Sequence, residues 1–153
     1  MGFIDSQRIL QSFQEFLDAR NKLEEIRSKY ETEYQTKYSE FESMQKDVES
    51  QSLLLSEEKR KEKARILQEK AMELEKYRYD KLGPEGELYK KNIELTQPII
   101  DKVNKVIQQI GKEEEYDFIF DASSGALVHA LPKYDLTEKV LEQLNKGVTT
   151  TDK

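Results

Sequence analysis

The chain has no cysteine and no tryptophan, one histidine, three prolines and six glycines in 153 residues. Without thiols there are no disulfides and no thiolate metal ligands, an absence compatible with any compartment. With so few breakers, the stretch from about Leu17 to about Glu115 reads as long, largely exposed helix interrupted at only two sites. No apolar run is long enough to cross a membrane. Apolar residues make up 36% of the chain against 37% charged, too little hydrophobic material for a compact core throughout. A small body with long helices fits that balance. The formal charge of -6 argues against general nucleic-acid binding, which needs a basic face.

What is present is a helical pattern. Leu23, Ile26, Tyr30, Tyr34, Tyr38, Phe41, Met44 and Val48 follow one another at steps of three or four, a single stripe on one helix. The mean step of about 3.7 residues predicts a nearly straight arm rather than a left-handed supercoil. Glu25 with Lys29, Glu33 with Lys37 and Glu42 with Lys46 have the four-residue spacing of helical ion pairs. Such a helix needs a partner along a narrow seam. Leu53, Leu54 and Leu55 break the stripe and Ser56 can cap a new helix, so the chain turns back there. Leu67, Ala71, Leu74, Tyr77 and Leu82 form the returning stripe, which pairs antiparallel with the first and places Tyr30 close to Leu74. Gly83-Pro84-Glu85-Gly86 interrupts it, and helix resumes at about Glu87.

Both ends of the chain read as body. Phe3-Ile4 is a short strand before a cap at Asp5-Ser6, and Ile9, Leu10, Phe13 and Phe16 continue at helical spacing. Ile99, Ile100, Val103, Val106, Ile107 and Ile110 form the most apolar helical face, which Gly111 can terminate. Tyr116 to Asp121 is strand-like, Ala122 to Gly125 is turn chemistry, and Ala126 to Leu131 reads as the second strand of a hairpin. Asp135 and Glu138 resemble a capping box opening a last helix that carries Leu136, Val140, Leu141 and Leu144 and ends at Lys146-Gly147. The predicted fold class is mainly α with a small β body and a long antiparallel coiled-coil hairpin projecting from it. The body comprises 3–16 and 99–147, the arm 17–98 with its tip near 53–56 and a break at 83–86, and 148–153 is a polar tail. Two or three short strands bearing Phe118, Phe120, Leu127 and Val128 cannot make a stable sheet alone, so an oligomer is expected.

Candidate chemistry is thin. Asp121, Ser123, Ser124 and His129 are the only set that could suggest catalysis, and a single histidine beside a Ser-Gly turn is an ordinary strand residue; no enzyme activity and no cofactor are expected. Gly83 to Gly86 lacks the lysine and the strand-loop-helix setting of a phosphate loop. Glu113, Glu114 and Glu115 read as a solvated face rather than a metal site. Tyr30, Tyr34 and Tyr38 are seam residues that could also offer ring area to a partner. Lys59, Arg60, Lys61, Lys63 and Arg65 outnumber Glu62 just past the tip: an exposed helix, with peripheral contact to a membrane surface as the sharper alternative.

Four segments bring a family into view: Phe3-Ile4-Asp5-Ser6-Gln7-Arg8-Ile9-Leu10, Gly83-Pro84-Glu85-Gly86-Glu87-Leu88, Tyr116-Asp117-Phe118-Ile119-Phe120-Asp121 with Gly125-Ala126-Leu127-Val128, and Pro132-Lys133-Tyr134-Asp135-Leu136-Thr137. In this order they resemble the Skp/OmpH family of periplasmic chaperones for outer-membrane proteins. The resemblance implies a homotrimer in which the N-terminal strand and C-terminal hairpin build a β body. Three helical hairpins then surround a cavity that holds unfolded outer-membrane β-barrel proteins without ATP. Tyr30, Tyr34, Tyr38, Leu53, Leu54 and Leu55 are the expected client contacts, and Phe3, Ile4, Phe118, Ile119, Phe120, Leu127 and Val128 the expected association residues. The chain departs from the best-known, basic members in being acidic. Met1-Gly2 runs straight into Phe3-Ile4 without room for a signal peptide, which reads as either a cytosolic protein or a mature form given a new start; the periplasmic location is what the resemblance implies. A coiled-coil spacer would leave the β hairpin unexplained, whereas a prefoldin-like cytosolic chaperone shares the logic of body and arms.

Overall fold

A computed structural model describes residues 1–148, so the polar tail from Thr149 onward lies outside the described residues. Its elements are β1 (Gly2–Ile4), α1 (Ser6–Ser12), α2 (Gln14–Gln51), α3 (Glu57–Leu82), α4 (Glu87–Glu113), β2 (Ile119–Asp121) and α5 (Thr137–Val148), with 3-10 turns at Ala122–Ser124 and Pro132–Tyr134. They group into two compact units: Met1–Lys22 with the chain from Glu94 onward, and Leu23–Ile93.

In the first unit, Asp5 caps α1 by accepting from the Arg8 amide at 2.9 Å. The expected continuous helix is broken at Phe13, whose backbone is extended and whose ring is completely buried. That bend keeps Phe13 and Ile9 in the same core as Ile99, Val103 and Ile110 of α4 and Val140, Leu141 and Leu144 of α5. The α4 and α5 residues are the apolar stripes expected from their spacing.

The strands pair differently from the sequence expectation. β1 and β2 are parallel, with Gly2 opposite Ile119, Phe3 opposite Phe120 and Ile4 opposite Asp121. On its other side Phe3 bridges to Asp135 and accepts from the Leu136 amide at 2.8 Å. The turn at Ala122–Ser124 forms, ending at Gly125 with φ 74, but Ala126 to Leu131 is neither helix nor strand. The hairpin is therefore corrected: β1, from the far end of the chain, takes the pairing. Strand propensity yields to tertiary context here.

Two more boundaries shift. α4 passes both Pro98 and Gly111 and ends at Glu113. The Glu114 amide donates to the Ile110 carbonyl, the Tyr116 amide donates to the Gly111 carbonyl, and Glu115 is left-handed at φ 55. This is a Schellman ending with glutamate where glycine is usual. Gly111 is small for another reason, since the Ile119 Cδ1 methyl lies 3.3 Å from where a Cβ would sit. The capping box at Asp135 and Glu138 also stays open. Asp135 accepts from the Thr137 amide at 2.9 Å, while Glu138 pairs with Arg8 of α1.

In the second unit, the turn and the break lie where expected. Ser56 caps α3, its Oγ accepting from the Lys59 amide at 3.3 Å. α3 stops at Leu82, and the Gly86 amide donates to the Gly83 carbonyl at 3.0 Å. A Cβ on Gly83 would lie 2.3 Å from the Tyr79 carbonyl oxygen, so the break is tight enough to require glycine.

Candidate functional site

The α2–α3 seam of the second unit is thin, and Leu74 is its one buried residue on α3. Phe41, Met44, Leu74 and Tyr77 line a groove of about 280 Å³ together with Lys37, Glu40, Lys70 and Glu73. Tyr77 donates to Glu33, and Lys37 Nζ stands 5.4 Å from the centre of its ring. Burial, then the Glu33 carboxylate, raises the Tyr77 phenol above its ordinary range, so it remains a neutral donor. Tyr30 lies further along, donating to Glu87 Oε2 at 2.8 Å with Lys81 Nζ 5.2 Å from its ring centre. Leu74 therefore faces the Phe41 region, and the expected Tyr30–Leu74 proximity is about two helical turns out of register. Stripe spacing alone left the axial register open, because neighbouring turns of a stripe are alike; the phenol–carboxylate pairs distinguish them. Glu33 is likewise turned to Tyr77 and to Lys29, 4.0 Å away, instead of to Lys37.

The expected client contacts divide. Tyr30 is engaged as described. Tyr34 and Tyr38 stack on each other at 6.3 Å, Tyr38 being exposed. Leu53 and Leu54 are 95% and 87% exposed at the turn, and Leu55 is half-buried. The basic run beyond it is partly paired, Lys61 with Glu57 at 3.2 Å and Arg65 with Glu62 at 2.7 Å. Met72, Tyr79, Tyr89 and Ile93 are further exposed apolar residues of this unit that sequence reasoning missed. Their signal was legible: Met72 and Tyr79 lie seven apart, and Tyr89 and Ile93 four apart, off the Leu67-Ala71-Leu74 stripe.

The association residues of the first unit divide too. Ile4 is buried and Ile119 packs against the same core. Phe118 and Phe120 stack at 6.3 Å and are exposed, as is Val128 at 98%. Phe3, Phe120, Leu127, His129, Leu131 and Tyr134 line an open, mainly apolar groove of about 450 Å³.

Asp121, Ser123 and Ser124 are hydrogen-bonded together, the Ser123 hydroxyl donating to Asp121 Oδ1 and the Ser124 hydroxyl to the Asp121 carbonyl, both at 2.8 Å, but His129 does not join them. Asp121 Oδ2 accepts from the Ser6 hydroxyl at 2.6 Å, and its Oδ1 accepts from the Ser6 and Ser123 amides at 3.2 and 3.0 Å. Burial by itself raises the Asp121 carboxyl, but these donors outweigh it and hold the group below its ordinary range. The carboxylate thus ties β2 and the 3-10 turn to the start of α1, while His129 lines the other groove. Of the three consecutive glutamates, Glu113 accepts from Gln109 at 2.8 Å and Glu114 pairs with Lys139.

Comparison with known proteins agrees with this architecture. An uncharacterized protein of Aquifex aeolicus (strain VF5) is 27% identical over 143 residues, covering 94% of this chain and 84% of that protein. An OmpH-like protein of Caulobacter crescentus CB15, described as a candidate outer membrane chaperone, has a crystal structure that matches with a TM-score of 0.82. The match covers 95% of this chain and 83% of that one at 17% identity, a likeness of fold. The family described as Outer membrane protein (OmpH-like) matches residues 1–144, and the chain belongs to that family.

Proposed function

We propose that this protein is a periplasmic, ATP-independent holdase that binds unfolded outer-membrane β-barrel proteins along its helical arms and keeps them from aggregating. The observation that carries this reading is the second unit itself, with a thin seam and large apolar side chains outside it: Leu53, Leu54, Met72, Tyr79, Tyr89 and Ile93. Each exposed residue offers a weak contact. Distributed along helices at about 1.5 Å per residue, such contacts suit a client without fixed structure and gain strength through multivalency. Family membership and the description of the Caulobacter relative as a candidate outer membrane chaperone support the same reading.

Self-association belongs to this proposal. A sheet of two three-residue strands is too small to stand alone. Phe118, Phe120 and Val128 are exposed, Phe120 lines the groove with Leu127 and Leu131, and Ala126 to Leu131 is strand-like sequence that forms no strand among the described residues. Copies of this chain, three in the assembly proposed, would cover that face. Phe120→Asp leaves the chain's own core intact and should yield smaller species by light scattering.

The decisive experiment removes the arm. Deleting about Tyr38 to Arg78 and joining the stumps with a short turn should leave an assembled body that no longer suppresses aggregation of an unfolded β-barrel protein. Full protection by the shortened chain would make the arms spacers and end the holdase reading.

A further inference from the structure

Glu87, the first residue of α4, gathers contacts from both other helices of its unit. Its Oε1 lies 2.7 Å from Lys81 Nζ at the end of α3, and its Oε2 accepts from the Tyr30 hydroxyl of α2 at 2.8 Å. Lys81 Nζ also stands 5.2 Å from the centre of the Tyr30 ring, closing the triangle. One carboxylate therefore joins three helices across Gly83 to Gly86, a break whose glycines bring no side chains to hold it. Both contacts hold the Glu87 carboxyl below its ordinary range, Lys81 first and Tyr30 second, so it stays ionised through neutral pH.

We propose that Glu87 is a positioning residue which, with Tyr30 and Lys81, latches the rotation and axial register of α3 against α2. Register decides which apolar residues are presented. Leu74 and Tyr77 face the seam while Met72 and Tyr79 face outward, and a rotation of α3 by about half a turn exchanges the two pairs. The thin seam cannot enforce that choice by hydrophobic packing alone. The Tyr77–Glu33 contact supports the register from one side of the break; the latch bridges the two sides. Lys81 is 27% and Glu87 49% exposed, so salt screens their attraction and loosens α3. The consequence for clients rests on the holdase reading; the latch itself does not.

The absence of cysteine allows a direct test on the full chain. Nitroxide labels on cysteines introduced at the exposed positions Thr36 and Lys76, diluted with unlabelled chain, report the α2–α3 distance within one molecule. The parent should give a narrow distribution at low salt that broadens about twofold near 1 M salt, where screening is short-ranged. Glu87→Gln should be broad at both salt concentrations. Tyr30→Phe, which removes one oxygen and keeps the ring, should lie between them. If Glu87→Gln unfolds, as read by circular dichroism, the Tyr30→Phe comparison stands in for it. A distribution in the folded variants as narrow as the parent's at low salt, or a parent distribution unchanged by salt, overturns the latch. Aggregation suppression by the same samples reports the other reading: protection that is absent in the parent removes the holdase function while leaving the distances to judge the latch.

Discussion

Phe13 and Phe41 are the same side chain in two settings. Phe13 is completely buried in a cluster drawn from α1, α2, α4 and α5; Phe41 is half-buried beside an open groove on α2. In the first unit, shape is set by apolar area removed from water. In the second, the apolar seam is too narrow to choose among neighbouring turns, and phenol–carboxylate contacts choose instead. A protein can thus have one part fixed by burial and another whose surface is tuned by a few exposed polar groups.

The widest expected gap between the two is the cost of deleting each ring. Phe13→Ala should lose about 3–5 kcal/mol of unfolding free energy by urea denaturation, and Phe41→Ala about 1–2 kcal/mol. Equal losses would dissolve the contrast. Next is Gly83→Ala, which forces a Cβ against the Tyr79 carbonyl and should cost about 1–3 kcal/mol as a close-packing clash; a neutral substitution would mean that the break adapts freely.

Asp121 sharpens the comparison from the polar side. Its carboxyl titrates below the ordinary value in the folded chain, so its stabilisation is fully present above the unfolded carboxylate range and is lost as pH falls through the folded value. Asp121→Asn should cost about 1 kcal/mol at neutral pH and give a shallower fall in melting temperature through the acid range. An unchanged acid limb would place the linkage elsewhere. The smallest effect is a gain: Glu115→Gly relieves a left-handed glutamate and should add about 0.5–1 kcal/mol, read as a raised melting temperature.

Sequence spacing placed the turn near Leu53 to Ser56, the break at Gly83 to Gly86 and the body faces of α4 and α5, because these depend on local caps and one-helix stripes. It could not locate what depends on residues far apart. Ala126 to Leu131 has strand composition, but whether it pairs is decided by where Gly2 to Ile4 lies. Phe13 looked like another stripe position, and only the α4 and α5 faces around it explain the bend. Among the candidate site residues, Tyr30 read like Tyr34 and Tyr38 until Glu87 and Lys81 were seen beside it. Met72 and Tyr79 stand out once the seam face of α3 is assigned.

The parallel pairing of Gly2 with Ile119 also sets an order of events in folding. α2 and α3 are joined by a short turn, so their contacts form early and at small entropic cost, whereas bringing β1 to β2 closes a loop that costs roughly 4 kcal/mol in chain entropy. A chain that emerges N-terminus first can have a finished arm while its first strand still waits for a partner. Chains interrupted before Ile119 retain the arm but lack β2, and with it the sheet. Synthesis through Asp121 is therefore a precondition for forming the sheet.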